Sequence, residues 1–431
     1  MRGSVSENAI LTLVGTSTQA ACQWGIVILL AKLGSADIVG RFSLALAISA
    51  PVFVFSGLNL RAVHATDAHD ERSVRDYVAV RLLTSLVGLA GVLLIPIAIG
   101  YSGETAWVIA LVALNKAVES LSDILYGTYQ RYEAMRPLAV SLVLRGVLSV
   151  AAVALALLHT HRLVPAVAML VASAGVTLVF HDIPAARRLL RASGAVSKVA
   201  TFREALAPSW DGRALRAIVT STVPLGASIM ILSLNANIPR YFIEHSRGEH
   251  DLGIYASISY LAIVGGTMAN AVTQAASPRL AHLYAERAIQ PFRSLVSKLM
   301  AFAAALGVTG SIVAAAVGPE LLSRVYRPEF AAHGRTLNIV MFGAALSYFG
   351  GFLGTAITSM RFFAIQLPLN AVAVLVTAVA SATLVPVSGI DGAAWATVLG
   401  SGAGSVAFGV AFIALRRAEP AESRSMVDPL A

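Results

Sequence analysis

Apolar residues in this chain occur in long runs, each interrupted by only a few polar residues. A helix of about 20 apolar residues covers the ~30 Å hydrocarbon core of a bilayer. Twelve such runs can be recognised: 10–33, 39–58, 78–99, 106–126, 138–158, 164–180, 218–243, 252–274, 295–317, 337–360, 365–385 and 393–415. The pattern predicts an all-α polytopic membrane protein with about twelve transmembrane helices.

The composition agrees with a membrane protein. Of the 431 residues, 57% are hydrophobic and 13% are charged, whereas soluble proteins contain roughly 25% charged residues. The single cysteine, Cys22, cannot form a disulfide framework or a thiolate metal site, and we expect neither a metal nor a cofactor. The formal charge of +9 fits basic cytoplasmic loops, so we expect no nucleic-acid partner.

The two halves of the chain resemble each other. Residues 135–147 (MRPLAVSLVLRGV) and 360–372 (MRFFAIQLPLNAV) are identical at six of thirteen positions. With six runs per half, the copies enter the membrane in the same sense, which predicts two six-helix lobes related by a pseudo-two-fold axis along the membrane normal. We expect an N-terminal lobe at 1–182, a cytoplasmic amphipathic linker at 183–216, a C-terminal lobe at 217–418 and a cytoplasmic tail at 419–431.

Charged residues inside the apolar runs indicate a polar interior. The run 106–126 contains Lys116, Glu119 and Asp123 at spacing i, i+3, i+7, which places them on one helical face. An ionised side chain that faces lipid costs several kcal/mol, so this face must contact protein or water. Arg145 lies roughly 12 Å inside the fifth run, where it either contacts a substrate or pairs with a structural partner such as Asp123.

Other polar residues have two interpretations each. Gln19 and Gln23 share one face of the first run and either line a cavity or join helices. Asn235 and Asn237 precede Pro239, which predicts a helix break near the outer surface, and they suit either sugar hydroxyls or helix contacts. The candidate substrate-binding residues are Arg145, Lys116, Arg240, Arg41, Asn235, Asn237, Gln19 and Gln23, although Arg41 and Arg240 lie near helix ends, where they can also snorkel.

Motifs of energy-coupled and synthetic enzymes are missing from the chain. It contains no Walker A lysine and no large soluble insert with paired acidic residues. We therefore expect a transporter without its own energy-coupling domain rather than an enzyme. An acidic group in a hydrated cavity can exchange a proton or a sodium ion, which makes Glu119 and Asp123 the candidates for ion coupling.

Several segments resemble a known family. They are 30–34 (LAKLG), 40–43 (GRFS), 121–130 (LSDILYGTYQ), 237–242 (NIPRYF) and 252–255 (LGIY). Together with the layout of the whole chain, they resemble the Wzx-like polysaccharide and O-antigen flippases of the multidrug/oligosaccharidyl-lipid/polysaccharide exporter superfamily. The resemblance implies a V-shaped pair of six-helix lobes, a cationic central cavity and alternating access.

The resemblance also implies a substrate and a place in the cell. The substrate would be an oligosaccharide linked to polyprenyl pyrophosphate, carried across the bacterial cytoplasmic (inner) membrane, and the partners would be membrane lipids and a polysaccharide polymerase complex. Three alternatives remain open. A drug/cation antiporter of the same superfamily would need an acidic cavity, a lipid II flippase would differ in its substrate, and a non-transporting scaffold would neutralise its buried charges in pairs.

The first prediction concerns topology. With both termini inside, the inner loops and helix ends carry about three times as many Lys and Arg residues as the outer ones, and positive residues accumulate on the cytoplasmic side. In a Cys22→Ala background, we expect an impermeant thiol reagent applied to intact cells to label a cysteine at Gly248 but not one at Ser193. Labelling at Ser193 alone would reverse the orientation.

Overall fold

The computed structural model describes residues 5–67, 72–193, 206–362 and 365–425, and every regular element in these ranges is helical. The helices are α1 (Val5–Leu33), α2 (Ala36–Gly57), α3 (Leu60–Thr66), α4 (Val74–Ile99), α5 (Gly103–Arg131), α6 (Met135–Thr160), α7 (Leu163–Thr177), α8 (Ile183–Ala192), α9 (Gly212–Ala285), α10 (Ile289–Val325), α11 (Gly334–Ser359) and α12 (Gln366–Ser425). A single turn of π-helix (Leu178–Asp182), the π-turn, joins α7 to α8, and a 3₁₀-helical segment (Pro328–His333) precedes α11.

The number of spans agrees with the sequence prediction. Within the described residues, nine helices are long and apolar enough to cross a membrane. Two of them, α9 and α12, contain non-helical backbone at Gly248 and Gly389, and each is long enough for two spans. The charged α5 has 29 residues and is also long enough. Counting these gives twelve spans, so the all-α polytopic fold is confirmed.

The chain forms two compact units, Met1–Asn237 and Ile238–Ala431. The core of the first unit joins the ends of α4, α5 and α6 to α8, and its most buried members include Tyr129 and Leu138. The core of the second unit packs the later part of α9 against α10, α11 and α12 through phenylalanines such as Phe352. Large apolar side chains on the opposite helix faces, such as Ile97 at 78% exposure, suit contact with lipid tails.

The predicted helix break at Pro239 is wrong. The helix continues through Pro239, and the first non-helical residue of α9 is Gly248, with φ 84° and ψ −175°. Proline is tolerated inside membrane helices where neighbouring groups satisfy the freed carbonyl. The backbone of Gly248 lies in a region that is essentially restricted to glycine, so this residue sets the turn.

Within the first unit, the first part of α9 packs closely on the end of α2. A Cβ atom at Gly226 would lie 2.8 Å from the carbonyl oxygen of Phe55 and 3.2 Å from the Cα of Leu58. Leu58 and Asn59 both adopt left-handed backbone, with φ of 50° and 52°, and form the corner between α2 and α3. The absence of a side chain at Gly226 therefore allows α9 to contact this corner.

The predicted linker is described only in part, because residues 194–205 lie outside the described ranges. Within it, α8 is amphipathic: Ala186 and Leu190 are buried in the core of the first unit, while Arg188 and Arg191 are exposed. However, α8 does not begin as a separate surface helix. It continues directly from α7 through the π-turn, so its orientation is fixed by the sixth span.

The second prediction concerns Gly248. We expect Gly248→Ala to destabilise the protein by about 1–3 kcal/mol, because alanine strains this backbone conformation. The unfolding temperature of the purified protein in detergent measures the effect. The matched control is Gly175→Ala, which adds a Cβ to helix α7 with nothing within 4 Å and which we expect to be neutral or slightly stabilising.

If Gly248→Ala and Gly175→Ala have equal unfolding temperatures, the backbone conformation of Gly248 does not require glycine. The same strain affects a cysteine at Gly248 in the labelling experiment. Ser246 is exposed in the same helix, so it is the better reporter position for the outer side.

Candidate substrate cavity

A cavity of about 510 Å³ lies within the first unit. It is bounded by α1 to α6 and by the first part of α9, which contributes Ile229. Lys116, Glu119 and Asp123 all line it, which confirms that the charged face of α5 is directed toward a protein interior. The other polar and charged lining residues are Gln19, Asn59, Arg61, Arg81, Ser120, Tyr126 and Arg145.

The lining of this cavity has an excess of positive charge. Four cationic side chains and two carboxylates contribute to it, and the carboxylate of Asp182 contacts Arg145 from behind the lining, which leaves an excess of one when all are ionised. Asp123 is shared by two guanidinium groups: its Oδ1 lies 3.4 Å from Arg61 Nη1, and its Oδ2 accepts a hydrogen bond of 3.1 Å from Arg81 Nη2. One carboxylate therefore balances two arginines.

The two arginines differ in exposure. The side chain of Arg81 is 3% exposed and also donates to Ser120 Oγ at 3.2 Å, so α4 and α5 hold it in place. The side chain of Arg61 is 32% exposed and donates to Gln130 at 3.0 Å through Nε. Arg61 follows the left-handed corner at Leu58 and Asn59, which turns α3 toward the cavity. It is the more accessible of the two cations.

Lys116 and Glu119 form an ion pair within α5. Lys116 Nζ donates to Glu119 Oε2 at 2.8 Å, and Asn115 Nδ2 donates to Glu119 Oε1 at 3.0 Å. Both carboxylate oxygens of Glu119 therefore have partners on its own helix. The spacing i, i+3 makes this pair possible.

Arg145 is paired, but not with the residue that sequence reasoning suggested. Its Nη2 lies 3.4 Å from Oδ2 of Asp182, and the two side chains are 5% and 0% exposed. The suggested partner, Asp123, is instead bound by Arg61 and Arg81. Asp182 ends the π-turn after α7. It was missed because it lies two residues beyond the sixth apolar run (164–180), at the very end of the predicted N-terminal lobe.

Tyr126 connects two of the cations. Its ring centroid lies 5.4 Å from Cζ of Arg61 and 5.8 Å from Cζ of Arg145, within the range of cation–π attraction. Its hydroxyl is hydrogen-bonded to Ser141 Oγ at 2.7 Å, which fixes the ring. Sequence reasoning did not name Arg61 and Arg81 as candidate site residues. The available signal was that Arg81 lies inside the third apolar run.

The remaining candidates lie outside the lining that the described residues form, and their binding role stays a prediction. Arg41 Nη1 donates to Glu104 Oε2 at 2.7 Å, in a partly exposed pair between α2 and α5. Asn237 Nδ2 donates to the carbonyl of Ser233 at 2.8 Å, within its own helix. The candidates that do not line the cavity are Gln23, Arg41, Asn235, Asn237 and Arg240.

The helical architecture and the charged cavity define a multi-pass membrane protein of the transporter type. The chain belongs to the family described as polysaccharide biosynthesis protein, which matches residues 5–284. It is also 28% identical over 386 residues to the capsular polysaccharide biosynthesis protein CapF of Staphylococcus aureus, covering 88% of this chain and 92% of that protein. The predicted membership of a polysaccharide biosynthesis family is thereby confirmed.

Solved structures share the fold over almost the whole chain. An inward-facing multidrug resistance MATE transporter of the MOP superfamily matches with a TM-score of 0.71 and 15% identity, covering 97% of this chain and 100% of that one. The lipid II flippase MurJ, in an inward closed conformation, matches with a TM-score of 0.71 and 10% identity, covering 93% and 86%. At these identities the likeness is one of fold.

The third prediction concerns Asp123. We expect Asp123→Asn to destabilise the protein by about 1–3 kcal/mol, because it leaves the buried Arg81 without a carboxylate. The unfolding temperature in detergent measures this. The control is Glu104→Gln, which removes a partly exposed partner of Arg41 and should change stability by no more than about 1 kcal/mol. Equal effects would show that the buried arginine does not depend on Asp123.

Proposed function

We propose that the protein moves an oligosaccharide linked to polyprenyl pyrophosphate across the bacterial cytoplasmic membrane, by alternating access, for the synthesis of a cell-surface polysaccharide. Its family and its relative CapF support a role in polysaccharide biosynthesis. One observation carries the choice of an anionic substrate: Asp123 is shared by Arg61 and Arg81, so the cavity keeps an excess of positive charge.

Transport of a pyrophosphate requires such a cavity. Two phosphates that cross a ~30 Å apolar layer without partners lose their hydration at a large free-energy cost. Guanidinium groups replace water with paired hydrogen bonds to phosphate oxygens. Arg61 is accessible, and Arg145 has a buried Nε without a hydrogen-bond partner. In the proposed cycle, the glycan occupies the aqueous cavity while the polyprenyl tail stays in the lipid.

The charge pattern weighs against two of the alternatives. A drug/cation antiporter needs an acidic cavity, whereas this lining is cationic. A non-transporting scaffold would neutralise its buried charges pair by pair. Lys116 with Glu119, and Arg145 with Asp182, fit that description, but the two arginines that share Asp123 do not. A lipid II flippase carries the same type of anchor, and the similarity to CapF favours a surface glycan instead.

The proposal includes an orientation, partners and a type of activity. Both termini lie in the cytoplasm, the partner of the transporter is the lipid-linked glycan, and a polymerase complex receives the glycan on the outer side. No covalent bond is made or broken, so the protein acts as a transporter rather than as an enzyme. Glu119 and Asp123 line the cavity and remain the candidates for ion coupling.

The fourth prediction tests whether Arg145 holds the pyrophosphate. We expect Arg145→Ala to reduce glycan export by tenfold or more, since a charge-assisted hydrogen bond contributes about 1.5–3 kcal/mol. Arg145→Lys should restore only part of it, because an ammonium cannot form two parallel hydrogen bonds. Export is measured as surface glycan in cells that depend on the variant.

The control is Arg162→Ala, which removes an exposed arginine between α6 and α7 and should export normally. The amount of each variant in the membrane is measured by immunoblot. If Arg145→Ala exports normally, or fails only because the protein disappears from the membrane, Arg145 is structural and the pyrophosphate is held elsewhere.

A further inference from the structure

The π-turn after α7 places two titratable side chains behind Arg145. His181 and Asp182 are the last two residues of this turn, and neither lines the cavity that Arg145 lines. Short π-helical segments are rare in proteins, and those that do occur are often found at functional sites. The turn therefore connects a cavity cation to a pair of groups that are not directly exposed to the substrate.

Asp182 is contacted through both of its carboxylate oxygens. Oδ2 lies 3.4 Å from Arg145 Nη2, and Oδ1 lies 3.0 Å from His181 Nδ1. The Asp182 side chain is completely buried, while the imidazole is 21% exposed. The hydroxyl of Tyr129 donates to the backbone carbonyl of Asp182 at 2.8 Å, which fixes the turn against α5. The imidazole of His181 is thus partly exposed, and Asp182 contacts both this ring and Arg145.

We infer that His181 and Asp182 form a proton-binding site that controls whether Arg145 is available to an anionic substrate. The inference rests on the proposed function, in which Arg145 contacts the pyrophosphate. With a neutral imidazole, the charge of Asp182 is balanced by Arg145 alone. When the pair takes up one proton from water at the imidazole, the resulting imidazolium balances the same carboxylate. Arg145 is then held less strongly and can turn to the phosphate.

The proton returns to water when Arg145 pairs with Asp182 again, so no other reactant is needed. Coupling between two sites is reciprocal: protonation strengthens anion binding, and anion binding promotes proton uptake. Histidine is suited to this role because its side chain ordinarily titrates between pH 5 and 8. The inference thus assigns a coupling site outside the two carboxylates that line the cavity.

The other groups near the pair fit this assignment. On α5, Tyr126 and Tyr129 face Arg145 and Asp182, and neither phenol is ionised at neutral pH in the ordinary case. The helix α7 contains no charged residue. The arginines of α8 are Arg187, Arg188 and Arg191, and they keep their charge at all relevant pH values. Glu119 on α5 also interacts electrostatically with Arg145, but both of its carboxylate oxygens have partners on α5. His181 and Asp182 are the titratable groups that contact each other behind Arg145.

The fifth prediction uses inorganic pyrophosphate as the probe and the full-length protein in detergent. We expect the affinity of the wild-type protein for pyrophosphate, relative to that of His181→Asn, to rise as pH falls from about 8 to about 5.5, by up to about tenfold per pH unit for one linked proton. His181→Asn keeps an N–H donor near the position of Nδ1 but cannot take up the proton. Its binding of pyrophosphate should depend less on pH, because about one proton fewer is taken up per pyrophosphate bound.

Calorimetry in buffers of different ionisation enthalpy measures the protons taken up per pyrophosphate, and the comparison between variants removes the contribution of the probe itself. The control is His159→Asn, an exposed histidine near the end of α6, which should match the wild type. Size-exclusion chromatography confirms that each variant is folded.

The outcomes separate the two proposals. If the wild type and His181→Asn take up the same number of protons, the proton site is wrong, although pyrophosphate binding that depends on Arg145 still supports the proposed function. If the wild type does not bind pyrophosphate, or binds it as well without Arg145, the proposed role of the cavity fails and the proton site fails with it.

Discussion

The first unit depends on one requirement: each charged side chain in its interior needs a partner. An ion inside a membrane must have partners, and the charged face of α5 can exist only because α2, α3, α4 and α6 pack around it. Each charge found there is held by another: Lys116 by Glu119, Arg145 by Asp182, and two arginines by Asp123. Apolar packing fixes the helices, and this polar network determines which faces meet.

The sharing of Asp123 separates this network from a purely structural one. Buried ion pairs add little net stability, because desolvation offsets much of the attraction. A fold that needed only cohesion would therefore gain little from a second cation at the same carboxylate. Arg81 is held rigidly by α4 and α5, whereas Arg61 is more accessible and lies against Tyr126. This arrangement combines a fixed cation with an accessible one at the same carboxylate, which suits reversible contact with an anion.

Much of the fold was predictable because long apolar runs and the spacing of charges in α5 are local signals. The number of spans and the polar face required no knowledge of the tertiary structure. Three features were not predictable, for physical reasons. The left-handed backbone at Leu58 has no sequence signal, the π-turn changes which face Asp182 occupies, and helix continuity at Pro239 depends on neighbouring groups. Each of these features depends on tertiary context. The corner at Leu58 places Arg61 near Asp123, and the π-turn places Asp182 near Arg145.

The cationic lining has a consequence for the resting transporter. Arginine keeps its charge at every physiological pH, so the surplus in the lining is permanent. When no substrate is bound, small dissolved anions are attracted to this surface and partly balance it. Under the proposed function, loading is then an ion exchange, in which the pyrophosphate displaces these counter-ions and gains from their release. On that proposal, the selectivity of the cavity depends on how well a substrate competes with small anions.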